Sequence, residues 1–252
     1  MQIITVAVQK GGTGKTTTAA ALAQAAVYRG CRTLAIDLDP QGNLSMSLAA
    51  RMINGTGNSY NLLMGLPPAD LIQTTKQGID VIPAYLDLAT ITSGKGSARR
   101  LQRALEPIKD NYDFIVIDTP TAAELQYNAL QAATGLLIPL QADSFNIQSL
   151  YQINYTARQI RKSNPELSVK GVIMTNYSKQ TKHARQIREL IQQQAEEMKL
   201  PYLGEIRRAI AIQEAATFRQ SLFEYAPKSK PAADYLALFD KLNGGSKNGQ
   251  GD

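Results

Sequence analysis

Gln9-Lys10-Gly11-Gly12-Thr13-Gly14-Lys15-Thr16-Thr17 lies between an apolar, strand-like run, Ile3–Val8, and an alanine-rich helical pattern, Lys15–Arg29. Against the pattern G-x-x-x-x-G-K-[ST] the one departure is Gln9, where the first glycine is expected; glycines 11, 12 and 14 supply the conformational freedom instead. Glycines let successive backbone N–H groups converge on phosphate oxygens, and the N-terminus of the following helix adds positive potential. On this reading Gly11, Gly12, Thr13, Gly14 and Thr17 cradle the phosphates, Lys15 reaches the β and γ positions, and the Thr16 hydroxyl binds Mg²⁺. The bland competitor is a glycine-rich strand-to-helix turn with an incidental lysine. Strand, helix and Gly-Lys-Thr together favour the phosphate cradle.

Outward from this loop the chain alternates short β-rich runs with helical patterns. Val81–Pro83, Thr33–Asp37, Phe114–Asp118, Leu136–Leu140, Val169–Thr175 and Tyr202–Ile206 are apolar almost throughout, as strands buried on both faces of a parallel sheet are. Helical patterns occupy Ala98–Ile108, Glu124–Ala133, Ile147–Lys162, Thr181–Lys199 and Ala232–Leu242, the last just after Pro231. Such alternation predicts an α/β fold: a doubly wound, mostly parallel sheet with helices on both faces, of P-loop NTPase type. Arg51–Pro68 reads as an elaborated loop with one short helix. With no dividing linker, residues 1–243 are expected to form one domain, and the polar tail Gly244–Asp252 to be disordered.

Two further segments bear on the phosphate loop. Phe114-Ile115-Val116-Ile117-Asp118 is an apolar strand ending in a carboxylate, the form of an acid that holds Mg²⁺ through water. In Asp37-Leu38-Asp39-Pro40-Gln41-Gly42, the two-residue period puts Asp37 and Asp39 on one side of a strand end. Carboxylates beside a triphosphate repel it unless metal, water or lysine intervenes. Outer-shell support of Mg²⁺ by Asp37 and positioning of water by Asp39 are therefore the better readings. Guanine is disfavoured as the base: the nearest approach to N-K-x-D is Asn176-Tyr177-Ser178-Lys179, which lacks the carboxylate. ATP is the expected nucleotide.

Bulk properties exclude more than they assign. The chain has 252 residues, a hydrophobic fraction of 44% and no apolar run of membrane-spanning length. One cysteine, Cys31, forbids an internal disulfide and fits a reducing compartment; one histidine, His183, leaves no His/Cys metal cluster. A cytoplasmic protein is expected. The net charge is +6, and the stretch Lys179–Lys230 alone carries ten Lys/Arg against six Glu. Lys95, Arg99, Arg100 and Arg103 make a second basic cluster. Solvated helix faces explain such charge as readily as an acidic partner does.

The motifs together resemble one family. K-G-G-T-G-K-T-T (Lys10–Thr17), with a lysine at the start of the loop, is similar to the deviant Walker A motif of the ParA/MinD group. D-L-D-P-Q-G-N (Asp37–Asn43), Leu101–Pro120, Asn128–Ala133 and Leu137–Gln141 resemble ParA, and the likeness runs from Ile3 to about Leu242. The resemblance implies an ATP-dependent homodimer in which Lys10 crosses to the partner's phosphates and Asp39 positions the attacking water. It also places Asn176 near the adenine, and implies a ParB-like adaptor and non-specific double-stranded DNA as partners, hence association with the nucleoid. Glu205–Ala215 and Tyr225–Lys230 resemble segments whose basic residues bind DNA, which nominates Arg208, Lys228 and Lys230. Departures are Arg207 and Pro231 where the family has Pro and Gly, Gln213 for Ser, Ala226 for Asp, and a single proline after Asp118.

Three competing readings use the same motifs. A membrane-cycling relative needs a terminal amphipathic helix, and Lys241–Asp252 offers two lysines without an apolar face. An iron–sulfur relative bridging a dimer needs two cysteines per chain. A metabolic ATP-dependent enzyme on the same fold stays open. Because the chain begins at the first strand, no sequence-specific DNA-reading segment is expected from it.

Overall fold

The computed structural model describes residues 1–52, 57–91, 97–143 and 146–244. Eight strands form one sheet: β1 (Gln2–Val6), β2 (Thr33–Asp37), β3 (Gln73–Thr74), β4 (Asp80–Ile82), β5 (Phe114–Asp118), β6 (Gly135–Leu140), β7 (Ser168–Tyr177) and β8 (Tyr202–Arg207). Their spatial order is β3-β4-β2-β5-β1-β6-β7-β8. Every pairing is parallel except β3 with β4. Helices α1 (Lys15–Tyr28), α2 (Asn43–Ser47), α3 (Ser59–Leu63), α4 (Arg100–Leu105) and α5 (Ala123–Ala132) precede β6 in the chain. The remainder are α6 (Asn146–Ile160), α7 (Lys182–Glu197), α8 (Ile210–Thr217), α9 (Leu222–Tyr225) and α10 (Lys230–Leu242).

The expected parallel sheet is present, and the pleat explains its apolar strands. Ile115 and Ile117 of β5 join one core cluster, shared with α5 and α6; Phe114 and Val116 join the other, shared with α1 and α10. Each fully buried Ile or Phe contributes roughly 1.5–3 kcal/mol. Helix α1 is buried on nearly all sides, and its run of alanines lets it lie close to the sheet.

Boundaries moved for local reasons. β1 ends at Val6 rather than Val8, because Ala7 and Val8, although buried, lead out of the sheet into the glycine loop. The helix expected over Ala98–Ile108 shortens to Arg100–Leu105, in keeping with the bias against helix just before Pro107. Helices α2, α8 and α9 lack a long apolar period, and β3 is a two-residue antiparallel edge; none was expected. α3 is the short helix expected within Arg51–Pro68. Lys95 and the tail residues 245–252 lie outside the described residues. No described helix is long and apolar enough to cross a membrane.

Candidate nucleotide site

The sheet order reverses around β1, which lies between β5 and β6. Crevices at the carboxyl ends of such strands are where open α/β sheets bind ligands. A cleft of about 590 Å³ opens there, lined by Gly11 to Thr17, Asp39, Gln41, Asn43 and residues from the ends of β5, β7 and β8.

The phosphate cradle is built from backbone. Gly14 caps α1 in the left-handed region at φ 84°, and no side chain caps the helix, so its first amides face the cleft. Gly12 is left-handed at φ 72°. A Cβ on Gly14 would stand 3.1 Å from Thr175 Oγ1. That hydroxyl hydrogen-bonds to the Thr13 carbonyl (2.7 Å) and lies 3.2 Å from that of Leu140, pinning the loop to β6 and β7. Gln141 Nε2 donates to the Gly12 carbonyl at 2.5 Å. On the other side Gln126 of α5 donates to Pro120 O (2.7 Å) and Val8 O (3.3 Å), bracing the start of the loop against the turn after Asp118.

Lys15 is buried and its Nζ donates to the Lys10 carbonyl at 2.8 Å. Burial lowers its pKa; Asp118 and Asp39 oppose that shift. Lys10 stands differently: it does not line the cleft, and its Nζ lies 2.5 Å from Asp143 Oδ2.

The carboxylates separate into two kinds. Asp37 and Asp118 are direct neighbours in the β2–β5 register and both are fully buried. Asp118 Oδ1 accepts from the Thr119 amide (3.0 Å), whereas Oδ2 is buried with no hydrogen-bond partner. Burial and the neighbouring Asp37 push the Asp118 pKa well above the usual carboxylate range. The Thr16 hydroxyl lies close enough to favour the ionised form, without a hydrogen bond of ordinary geometry. A hydroxyl near a buried carboxylate that keeps one unsatisfied oxygen, beside a phosphate cradle, is a hard oxygen donor set, and it fits Mg²⁺. Asp37 is engaged by protein donors: Asp39 N on Oδ1 (3.0 Å), Ser45 N and Ser45 Oγ on Oδ2 (2.9 and 2.7 Å). Burial raises its pKa to about 6 against those hydrogen bonds. Neither Asp37 nor Asp118 lines the cleft, whereas Asp39 does, with Oδ1 accepting from the Gln41 amide at 3.0 Å.

Asn176 lies at the cleft in the left-handed region, φ 52°. Ile206, Ala209, Ile212 and Tyr235 supply an apolar wall that the sequence reading did not nominate, as it did not nominate Gln126, Gln141 and Thr175. The usable signal was position, since several of them stand just beyond carboxyl ends of strands. Tyr235 is a helix residue brought there by α10, which no local pattern reveals. Arg208, Lys228 and Lys230 are exposed. Arg207 ties the end of β8 to α10 through Asp234 (2.6 Å) and the Lys230 carbonyl (3.3 Å). Arg208, Lys228 and Lys230 all lie outside the cleft lining.

Comparison with known proteins agrees with this geometry. Residues 1–169 match the AAA domain family. The chain is 33% identical over 249 residues to the chromosome partitioning protein ParA of Myxococcus xanthus, covering 96% of this chain and 87% of that one. It is 34% identical over 247 residues to the sporulation initiation inhibitor protein Soj of Bacillus subtilis, covering 94% and 96%. Among solved structures, cobyrinic acid a,c-diamide synthase from Mycobacterium smegmatis with ADP and magnesium superposes with a TM-score of 0.80 at 30% identity, over 95% of this chain and 93% of that one. A putative plasmid partition protein of Borrelia burgdorferi bound to AMPPNP gives 0.78 at 25%, over 94% and 98%. With its deviant phosphate loop, its paired strand-end carboxylates and relatives alike over nearly their whole length, the chain belongs to the ParA/Soj family of P-loop ATPases.

Proposed function

We propose that the protein is an ATP-switched DNA-partitioning motor. One observation carries the reading: among the described residues lining the cleft, Lys15 is the sole cation. A triphosphate with one Mg²⁺ keeps excess negative charge, and a second cation in place at the transition state is how such sites gain rate. Lys10, at the start of the same loop but outside the lining, would supply it to a second copy. ATP then closes a homodimer, with Lys15 and Thr16 on phosphate and Mg²⁺, Asp118 holding the ion through water, and Asp37 supporting from behind. Asp39 positions the attacking water and Asn176 lies by the base.

The dimer would bind double-stranded DNA non-specifically through Arg208, Lys228 and Lys230, and a ParB-like adaptor would trigger hydrolysis and release. The cycle belongs in the cytoplasm, on the nucleoid, with no membrane partner and with residues 1–243 acting as one domain. The test is light scattering with a slowly hydrolysed ATP analogue. Wild type should dimerise, while Lys10→Ala should bind the analogue and stay monomeric; equal dimerisation by both rejects the cross-interface role. The solved structure named as a cobyrinic acid a,c-diamide synthase raises a metabolic reading, which would show as ATP turnover driven by a small-molecule acid instead of DNA.

A further inference from the structure

An open groove of about 660 Å³ runs between two walls: Leu62–Ala69, at the end of α3 and beyond, and α4 with Pro107 and Ile108. Among the described residues it shares no lining residue with the nucleotide cleft. Leu62, Leu63 and Ile108 form a buried apolar floor, yet Met64 and Leu66 on the rim are 54% and 44% exposed. Large apolar side chains held out together beside a groove mark interaction surfaces more often than isolated ones do.

The first wall is rigid by construction. Gly65, at φ 99°, lets Leu66 N reach back to Asn61 O (3.0 Å) and closes α3. Pro67 and Pro68 then fix the backbone that follows. Such a wall loses little entropy when something binds to it. Arg100 and Arg103 stand on the opposite wall, and Arg103 Nε donates to the Arg99 carbonyl at 3.3 Å. No carboxylate lines the groove among the described residues. Of the acids close by in sequence, Glu106 is ion-paired with Lys109 at 2.8 Å, and Asp70 follows the last lining residue of the first wall.

We infer that this groove docks a short amphipathic segment of a partner protein, with bulky apolar residues on the floor and carboxylates on Arg100 and Arg103. Methionine and arginine are enriched at interface cores, and paired charges at the rim give orientation and rate of encounter. A second copy using the same groove would set guanidinium groups against guanidinium groups. Nucleic acid has no use for the apolar floor, beside which the cations among the described lining residues are Arg100 and Arg103. The occupant reaches a functional neighbourhood: α4 meets α5 where Leu101 N approaches Asn128 Oδ1 (3.4 Å), and α5 carries Gln126, which braces the turn after Asp118. The inference needs neither ATP nor DNA and stands apart from the partition reading.

The experiment selects a displayed library of random short peptides on the immobilised full chain, then titrates the enriched peptide by fluorescence anisotropy. Enriched sequences should carry Leu, Ile or Phe flanked by Asp or Glu. Arg100→Glu with Arg103→Glu, and separately Met64→Ser with Leu66→Ser, should each weaken binding at least about tenfold. Both variants should still bind an ATP analogue, which confirms their fold; Arg100→Gln with Arg103→Gln serves if charge reversal disturbs it. Enrichment without an acidic–apolar pattern, affinities within about twofold of wild type, or peptide binding that instead drives self-association overturns the inference.

Discussion

Ser45→Ala tests whether Asp37 is held by a small buried network rather than by metal. Ser45 is fully buried; its Oγ donates to Asp37 Oδ2 at 2.7 Å and accepts from the Ala84 amide at 3.0 Å. The alanine variant keeps the backbone bond from residue 45 to Asp37 but strands the Ala84 amide, costing ~1–3 kcal/mol, and removes a charge-assisted bond, costing ~1.5–3 kcal/mol. The loss at about pH 8 is therefore ~2.5–6 kcal/mol. Asp37 makes the loss depend on pH. Its folded pKa of about 6 lies above the ordinary 3.8, so its contribution favours the fold fully below 3.8 and is lost as pH rises through about 6. Removing the hydroxyl raises the folded pKa further, so the variant suffers more in the ionised range. At about pH 5 Asp37 is mostly neutral, and the loss should shrink to ~2–3 kcal/mol. Urea unfolding of wild type and variant at the two pH values, with chelator and without nucleotide, measures this. A loss below ~1 kcal/mol at about pH 8, or one equal at both, refutes the network.

Gly14→Ala combines a left-handed φ with a Cβ 3.1 Å from Thr175 Oγ1, so it should lose ~2–4 kcal/mol and most nucleotide affinity. Gly12→Ala, left-handed but facing open space, should lose only ~1–2 kcal/mol by thermal unfolding; equal losses would dissociate Thr175 from the effect. Asp39→Ala should bind ATP and accumulate dimer while turnover falls about a hundredfold; steady-state hydrolysis close to wild type removes Asp39 from water activation. Lys228→Glu with Lys230→Glu should weaken all duplexes alike and flatten the slope of log affinity against log salt by about 0.9 for each phosphate no longer neutralised. An unchanged slope in a salt titration with the ATP analogue would take these lysines out of the DNA surface.

Whatever depends on local periodicity or on a contiguous motif was determined by the sequence itself. The apolar runs around Thr33–Asp37 and Phe114–Asp118 announce parallel strands, because a strand buried on both faces has no polar positions to alternate. Gly11 to Thr17 announces an anion cradle because its donors are backbone amides from consecutive residues, so sequence adjacency is spatial adjacency. Tertiary structure alone decided what lies across from that loop. Thr175 stands 162 residues from the carbonyl it holds and Gln141 stands 129 away, and hydrogen bonds over such separations leave no local pattern. The same holds for Asp37 and Asp118: each reads as a strand-ending acid, but only the β2–β5 register sets them side by side. Packing then gives one an unsatisfied oxygen and the other three protein donors. Two like residues thus acquire different chemistry from desolvation and hydrogen bonding, which belong to the folded surroundings and not to the residue.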